Sequence, residues 1–270
     1  MAVFPVVKGV RMRATKVNAC GLPVEGEANR VVTTGFVTFS MSPVMQEAEE
    51  LEQRNAEGKV CVYDRTPPER KHYDLSLALC NVNTCLISMF SGWQAEVDYK
   101  GDSSGFRDQK EIESDYGVAI EIWTGGSAQD DCPTPDTDDI FANPTSGKSH
   151  GYLLVFGTEW KMGDLEVGAS VANFTLSGIS LAAPQWGRGP YNVVPIDENG
   201  TAGRLITPVG EDQHFSLQRT PIAPPEVTPG DECAPLEITD LFDEDTPYFG
   251  NGETPAADVA PEQPEAALVP

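Results

Sequence analysis

Apolar and polar residues alternate with a period of two along most of this chain, and that rhythm predicts strands in preference to helices. From Lys8 to Val17, Val10, Met12 and Ala14 alternate with Arg11, Arg13 and Thr15, which predicts a half-exposed strand with one basic face. Arg30 to Met41 and Lys59 to Asp64 are rich in Val, Phe, Thr and Tyr, and predict two strands that pair in one sheet. Lys71 to Cys80 sets Tyr73, Leu75, Leu77 and Leu79 on one face. Further strands are predicted over Ala95–Tyr99, Gly117–Thr124, Gly151–Thr158, Lys161–Ser170 and Asn173–Leu181. One stretch breaks the rhythm: Asn83 to Trp93 reads as a short helix, capped by Asn83 or Thr84, filled by Leu86, Ile87, Met89 and Phe90, and stopped by Gly92. It is apolar nearly all round and must plug a core. The sum is an all-β, mainly antiparallel fold, a β-sandwich or partial barrel with one plugging helix.

The 17 residues from Ser42 to Gly58 interrupt two of these strands. Hairpin loops usually hold about 2–5 residues, so this excursion needs a purpose. Ser42 can cap a helix with Pro43 in its first turn, Val44, Ala48 and Leu51 fall at helical spacing, Met45 adds to them, and Gly58 can end it. Glu50 and Arg54 stand at i,i+4, a pairing that contributes a few tenths of a kcal/mol, about 0.2–0.5. The apolar stripe is thin among Glu47, Glu49, Glu50 and Glu52, too thin to hold the arm on its own sheet. Two outcomes follow: an arm that lies on another subunit through Val44, Met45, Ala48, Leu51, Glu50 and Arg54, or a solvated acidic loop.

Charge divides the chain. The formal net charge is −24, and half of it lies in the last 49 residues, where Ile222 to Pro270 hold 12 Asp and Glu, 9 Pro and no Lys or Arg. The expected organisation is a β domain over residues 1–221 and an acidic, Pro-rich extension over 222–270 whose composition resembles disorder. An acidic surface repels nucleic acid, so the balance excludes DNA binding for its own sake but suits a surface that DNA passes. No run of about 18 apolar residues is present and no charged-then-apolar leader begins the chain, which predicts no membrane partner and folding in a cytosol. Six scattered cysteines without a C-x-x-C pair predict reduced, mostly buried thiols.

No catalytic motif survives its context. Residues 142–149 (ANPTSGKS) approximate a phosphate loop, but a strand and not a helix follows them. Residues 101–105 (GDSSG) spell a nucleophile elbow in what reads as a hairpin turn, with only His72, His150 and His214 as bases. The acidic loop around Asp130, Asp131, Asp136, Asp138 and Asp139 lacks the EF-hand spelling, because Ile140 takes the fifth position. No cofactor, metal site or enzymatic activity is expected, although paired carboxylates for glycoside cleavage are too common in an acidic sandwich to be diagnostic. A second class is a capsid-decorating or carbohydrate-binding sandwich with Trp93, Trp123, Trp160 or Trp186 as platforms.

Three stretches carry a resemblance: residues 9–15 (GVRMRAT) with 20–23 (CGLP), residues 55–62 (NAEGKVCV), and residues 186–195 (WGRGPYNVVP) with 205–215 (LITPVGEDQHF). Together, over roughly residues 5–225, the chain resembles the major tail tube proteins of long, non-contractile-tailed bacteriophages of siphovirus type, particularly those of actinobacterial hosts. The resemblance implies a virion structural protein that self-assembles into hexameric rings, stacked into the tail tube through which the genome is ejected. Its implied location is the virion tail, assembled in the host cytoplasm. Its implied partners are other copies of itself, the tape-measure, tail-terminator and distal-tail proteins, and double-stranded DNA in passage. In that family the corresponding arm reaches an adjacent ring. An acidic bore would be lined by carboxylates of the inner sheet, and Asp74, Glu96, Asp98, Glu121 and Glu166, each in or beside a predicted strand, are the candidates.

Overall fold

The computed structural model describes residues 8–80, 83–100, 103–125, 150–163, 174–182, 193–195, 202–205, 209–210, 212–229 and 234–236. In chain order the strands are β1 (Lys8–Asn18), β2 (Gly26–Thr33), β3 (Phe36–Met45), β4 (Glu50–Arg54), β5 (Val60–Arg65) and β6 (Arg70–Leu79). Helix α1 (Thr84–Ser91) comes next, then β7 (Gln94–Val97), β8 (Ser103–Arg107), β9 (Tyr116–Gly125), β10 (His150–Met162) and β11 (Phe174–Ser180). The last are β12 (Val194–Pro195), β13 (Ala202–Gly203), β14 (Phe215–Thr220) and β15 (Ala234–Leu236). All described pairings are antiparallel, so the all-β expectation holds. No helix among the described residues is long and apolar enough to cross a membrane.

One nine-stranded sheet dominates, in the order β15-β2-β1-β9-β10-β11-β6-β3, with β14 also paired to β10. The predicted strand Arg30–Met41 is two strands: the chain leaves β2 at Thr34 and Gly35, and β3 joins β6 at the far end of the sheet. The expected pairing of that stretch with Lys59–Asp64 is therefore corrected. Val60 to Asp64 belong to β5, whose partner is β4. Periodicity shows that a strand exists and is silent on which strand lies beside it.

Helix α1 is where the sequence places it. The Asn83 side chain accepts from the Cys85 and Leu86 amides, and Gly92 ends the helix with φ 71°. Leu86, Ile87, Met89 and Phe90 are buried against Met12, Ala14, Leu75, Leu77, Leu79, Val118, Ile120 and Trp160. Each such side chain contributes about 1.5–3 kcal/mol by leaving water. Trp160 reaches this core through a bulge in β10, where Glu159 takes φ 53° and the register with β11 shifts between Thr158 and Lys161. Two glycines make room for its ring: a Cβ on Gly157 or Gly178 would lie 2.5 or 2.7 Å from the Trp160 side chain.

The opposite sheet face is covered as well. Val17, Ala119, Trp123, Tyr152, Leu154 and Phe156 pack under Val193, Leu205, Val209 and Leu236. Hence the basic face expected on β1 is not exposed: Arg11 donates to the Pro225 carbonyl at 2.7 Å and Arg13 is held by Glu121. The expected extension also begins inside the packed region. Thr228 exchanges hydrogen bonds with the Val32 backbone at 2.9 and 3.0 Å, Ala234 pairs with Arg30, and Leu236 is buried. Residues 237–270 lie outside the described residues.

The thiol expectation needs revision. Cys85 is in a disulfide, whose other half is not among the described residues, while Cys20, Cys61 and Cys80 are free but exposed.

Candidate assembly surface: a projecting ribbon and its root

The excursion is a β-ribbon and not a helix. β3 and β6 pair from Phe36↔Leu79 to Met45↔Arg70, and the ladder continues into β4 and β5 through Gln46 N–H to Glu69 O (2.6 Å) and Thr66 N–H to Glu49 O (3.0 Å). At the tip, Asn55 Oδ1 accepts from the Glu57 and Lys59 amides at 3.0 and 2.9 Å, and Gly58 takes φ 80°, a left-handed conformation that glycine adopts without a Cβ clash. A lone helix with so thin a stripe would have no core to bury it, whereas a strand pair satisfies its backbone groups across the ladder. Val60, Val62 and Tyr63 opposite β4 supply the β-branched and aromatic positions that favour this outcome.

Every residue from Glu49 to Lys71 is exposed. Opposed residues of an antiparallel pair share a face, so the register separates two surfaces. One carries Leu51 and Val62, which are 66 and 50 % exposed, with Gln53 and Asp64, whereas Val60, 49 % exposed, lies past the register shift and stands opposite Arg54. The other carries Tyr63, the Glu50–Arg65 pair at 3.3 Å and the Glu52–Arg54 pair at 2.6 Å. The helical i,i+4 pairing expected between Glu50 and Arg54 is thus replaced by a cross-strand pair and an i,i+2 pair. Among the remaining arm residues, Val44 is half-buried opposite His72, Met45 is exposed at a bulge opposite Arg70, and Ala48 is half-buried in the link to β4. They do not form one stripe with Leu51. Val60, Val62 and Tyr63 were missed because they were assigned to a packed strand; their alternation was visible all along.

At its root the ribbon is fastened by side chains. Arg70 donates to the Tyr73 hydroxyl (3.0 Å) and the Asp212 carbonyl (3.1 Å), and its guanidinium lies 4.8 Å from the centre of the Tyr73 ring. The Tyr73 amide donates to Ser180 Oγ at 2.8 Å, and Ser180 Oγ lies 2.9 Å from His214 Nδ1. Burial first, then the Arg70 charge, holds the His214 pKa below the ordinary histidine range. This serine–histidine pair is not the elbow weighed above, since Ser103 opens β8. Ser180 is fully buried, and the cavity beside His214, lined by Leu154, Val155, Phe156 and Leu181, holds about 10 Å³, room for no more than a water.

The five candidate carboxylates do not share a surface. Asp74 is exposed on β6, 3.4 Å from His72. Glu96 pairs with Arg107 across the β7–β8 hairpin, and Asp98 accepts the Lys100 amide at 2.8 Å in that hairpin's turn. Glu121 is fully buried: it takes Arg13 bidentately at 2.6 and 2.7 Å and the Tyr152 hydroxyl at 2.6 Å, with Arg13 5.2 Å from the centre of the Trp123 ring. It therefore faces no bore, because Arg13 stands directly opposite it in the ladder and the second layer covers both. Glu166 lies outside the described residues, as do residues 126–149 with the acidic loop and the phosphate-loop spelling. Among the described residues no three metal-ligating side chains cluster. Trp123 and Trp160 are core residues and offer no platform to a sugar, Trp93 stacks on Phe106 at 5.8 Å, and Trp186 lies outside the described residues.

No family model matches the chain, and no curated protein does.

Proposed function

We propose that this protein is a non-enzymatic structural subunit that assembles with copies of itself into stacked sixfold rings, forming the tail tube of a siphovirus-type phage. The observation that supports the reading is the ribbon. From Glu49 to Lys71 it buries nothing at home, yet it presents Leu51 and Val62 together on one face, with Val60 and Tyr63 exposed as well. Its inner strand β3 is the end strand of the sheet and has no Asp, Glu, Lys or Arg between Phe36 and Met45, only Pro43 as a guard. Natural edge strands are usually protected by charge against pairing with another chain, and this one is not. Burying Leu51 and Val62 on a neighbouring subunit would contribute about 1.5–3 kcal/mol each, repeated around every ring.

In this reading the surplus of acidic residues keeps the tube from gripping DNA. Exposed carboxylates such as Asp74 and Asp98 repel the duplex within a Debye length, about 8 Å in physiological salt. Electron microscopy of the concentrated purified protein tests the proposal. Rings or tubes are the expected result, and monomers at every salt concentration would overturn it.

A further inference from the structure

The ribbon is polarised by charge from one strand to the other. Residues 46–57, the outgoing side with β4, hold Glu47, Glu49, Glu50, Glu52 and Glu57 against Arg54 alone, a net charge of −4. Residues 59–71, the returning side with β5, hold Lys59, Arg65, Arg70 and Lys71 against Asp64 and Glu69, a net charge of +2. Part of this is neutralised at home, where Glu52 meets Arg54, Glu57 meets Lys59 and Glu50 meets Arg65. Glu47 and Glu49 on one side and Lys71 on the other are exposed and have no ion-pair partner among the described residues.

β4 and β5 form a sheet of two strands, so each has one edge with no strand beside it among the described residues. A free edge offers its backbone N–H and C=O groups to another strand, and charge of a single sign is a usual guard against such pairing. Here the two edges differ in sign. Isologous pairing, β4 on β4 or β5 on β5 across a twofold axis, would set like charges side by side. Heterologous pairing sets the acidic edge of one copy beside the basic edge of the next. For ribbons pointing the same way those two strands run antiparallel, as β4 and β5 already do within one copy.

We propose that the surface receiving the ribbon is the ribbon of the next copy: the acidic β4 edge of one subunit pairs head to tail with the basic β5 edge of its neighbour, making one continuous band. This rests on the self-assembly reading and names its contact. The backbone ladder supplies the attachment, and the charges set its direction, since exposed ion pairs contribute little energy while like-charge contacts reject the wrong partner. Leu51 and Val62 share a face, and in the register parity that keeps this face common to both copies their apolar row runs on from ribbon to ribbon.

Mixing two charge-reversed full-length chains tests the contact. In one, Glu47→Lys, Glu49→Lys and Glu50→Lys make the β4 side positive; in the other, Arg65→Glu and Lys71→Glu make the β5 side negative. All five positions are exposed, so both chains should fold, which thermal unfolding checks. At low salt each chain alone should need about tenfold more protein than the unaltered one to assemble, read by sedimentation. The equimolar mixture should assemble like the unaltered chain, because every contact between unlike copies again joins opposite signs, whereas damage within a single chain is not repaired by mixing. The penalty should fade in about 1 M salt, where the Debye length is about 3 Å. Undiminished assembly of either reversed chain would overturn the contact and leave the assembly reading standing. Assembly lost in both and not restored by mixing would do the same, placing the ribbon on another surface of the neighbour. An unaltered chain that never assembles would overturn both.

Discussion

The centre of the main sheet and the projecting ribbon are built from the same kind of strand, yet they are opposites in what they bury. β9 and β10 are covered on both faces, by α1 and its core on one side and by Val193, Leu205, Val209 and Leu236 on the other. β4 and β5 are covered on neither. The slab holds itself together through apolar burial and the buried Arg13–Glu121 ion pair. The ribbon has only a backbone ladder, surface ion pairs and a fastened root, and an isolated two-stranded hairpin is marginally stable in water. A protein that maintains such an element is arranged for something to lie against it.

Substitutions should separate the two regions sharply. The largest effect is expected in the slab: Glu121→Leu leaves the Arg13 guanidinium and the Tyr152 hydroxyl without their acceptor and should cost about 3–5 kcal/mol in a denaturant titration. Gly178→Ala should cost about 1–3 kcal/mol in the same measurement, because its new Cβ would sit 2.7 Å from Trp160 and 2.9 Å from the Thr158 carbonyl, which cannot move aside like a flexible side chain. In the ribbon, Val62→Ser should change subunit stability by less than about 0.5 kcal/mol while weakening assembly measured by sedimentation. The smallest effect belongs to Glu52→Ala, which removes an exposed ion pair and should be close to neutral in both assays. Slab and ribbon substitutions with equal effects on subunit stability would erase the distinction.

Much of the slab was legible in the sequence. The Leu75, Leu77 and Leu79 alternation, the Asn83 cap and the Gly92 stop announce β6 and α1 with little ambiguity, since local sterics and hydrogen bonding decide them. Partner choice was not legible, because pairing β3 with β6, and splitting β2 from β3 at Thr34 and Gly35, are decided by contacts distant in sequence. Burial of a face was equally hidden. Arg13 and Glu121 look like solvent-facing charges until the other member of the pair and the second layer are in place. In the ribbon, Val44, Ala48 and Leu51 fit a helical stripe by spacing alone, and only the facing strand with Val60 and Val62 shows which periodicity wins. The root cluster gave no sequence signal at all, since Arg70, Tyr73, Ser180 and His214 are brought together by a seam between strands.

The central claim is that the ribbon exists for assembly and not for the fold of the subunit. Gln46 and Glu69 are already hydrogen-bonded neighbours at 2.6 Å, so residues 47–68 can be replaced by an Asn-Gly turn without disturbing the strands below. Electron microscopy of this shortened chain beside the full-length protein, with thermal unfolding of both, is the direct measurement. The account predicts a folded subunit with an essentially unchanged melting temperature that forms no stacked tubes where the full-length chain does; tubes of normal length from the shortened chain would contradict it.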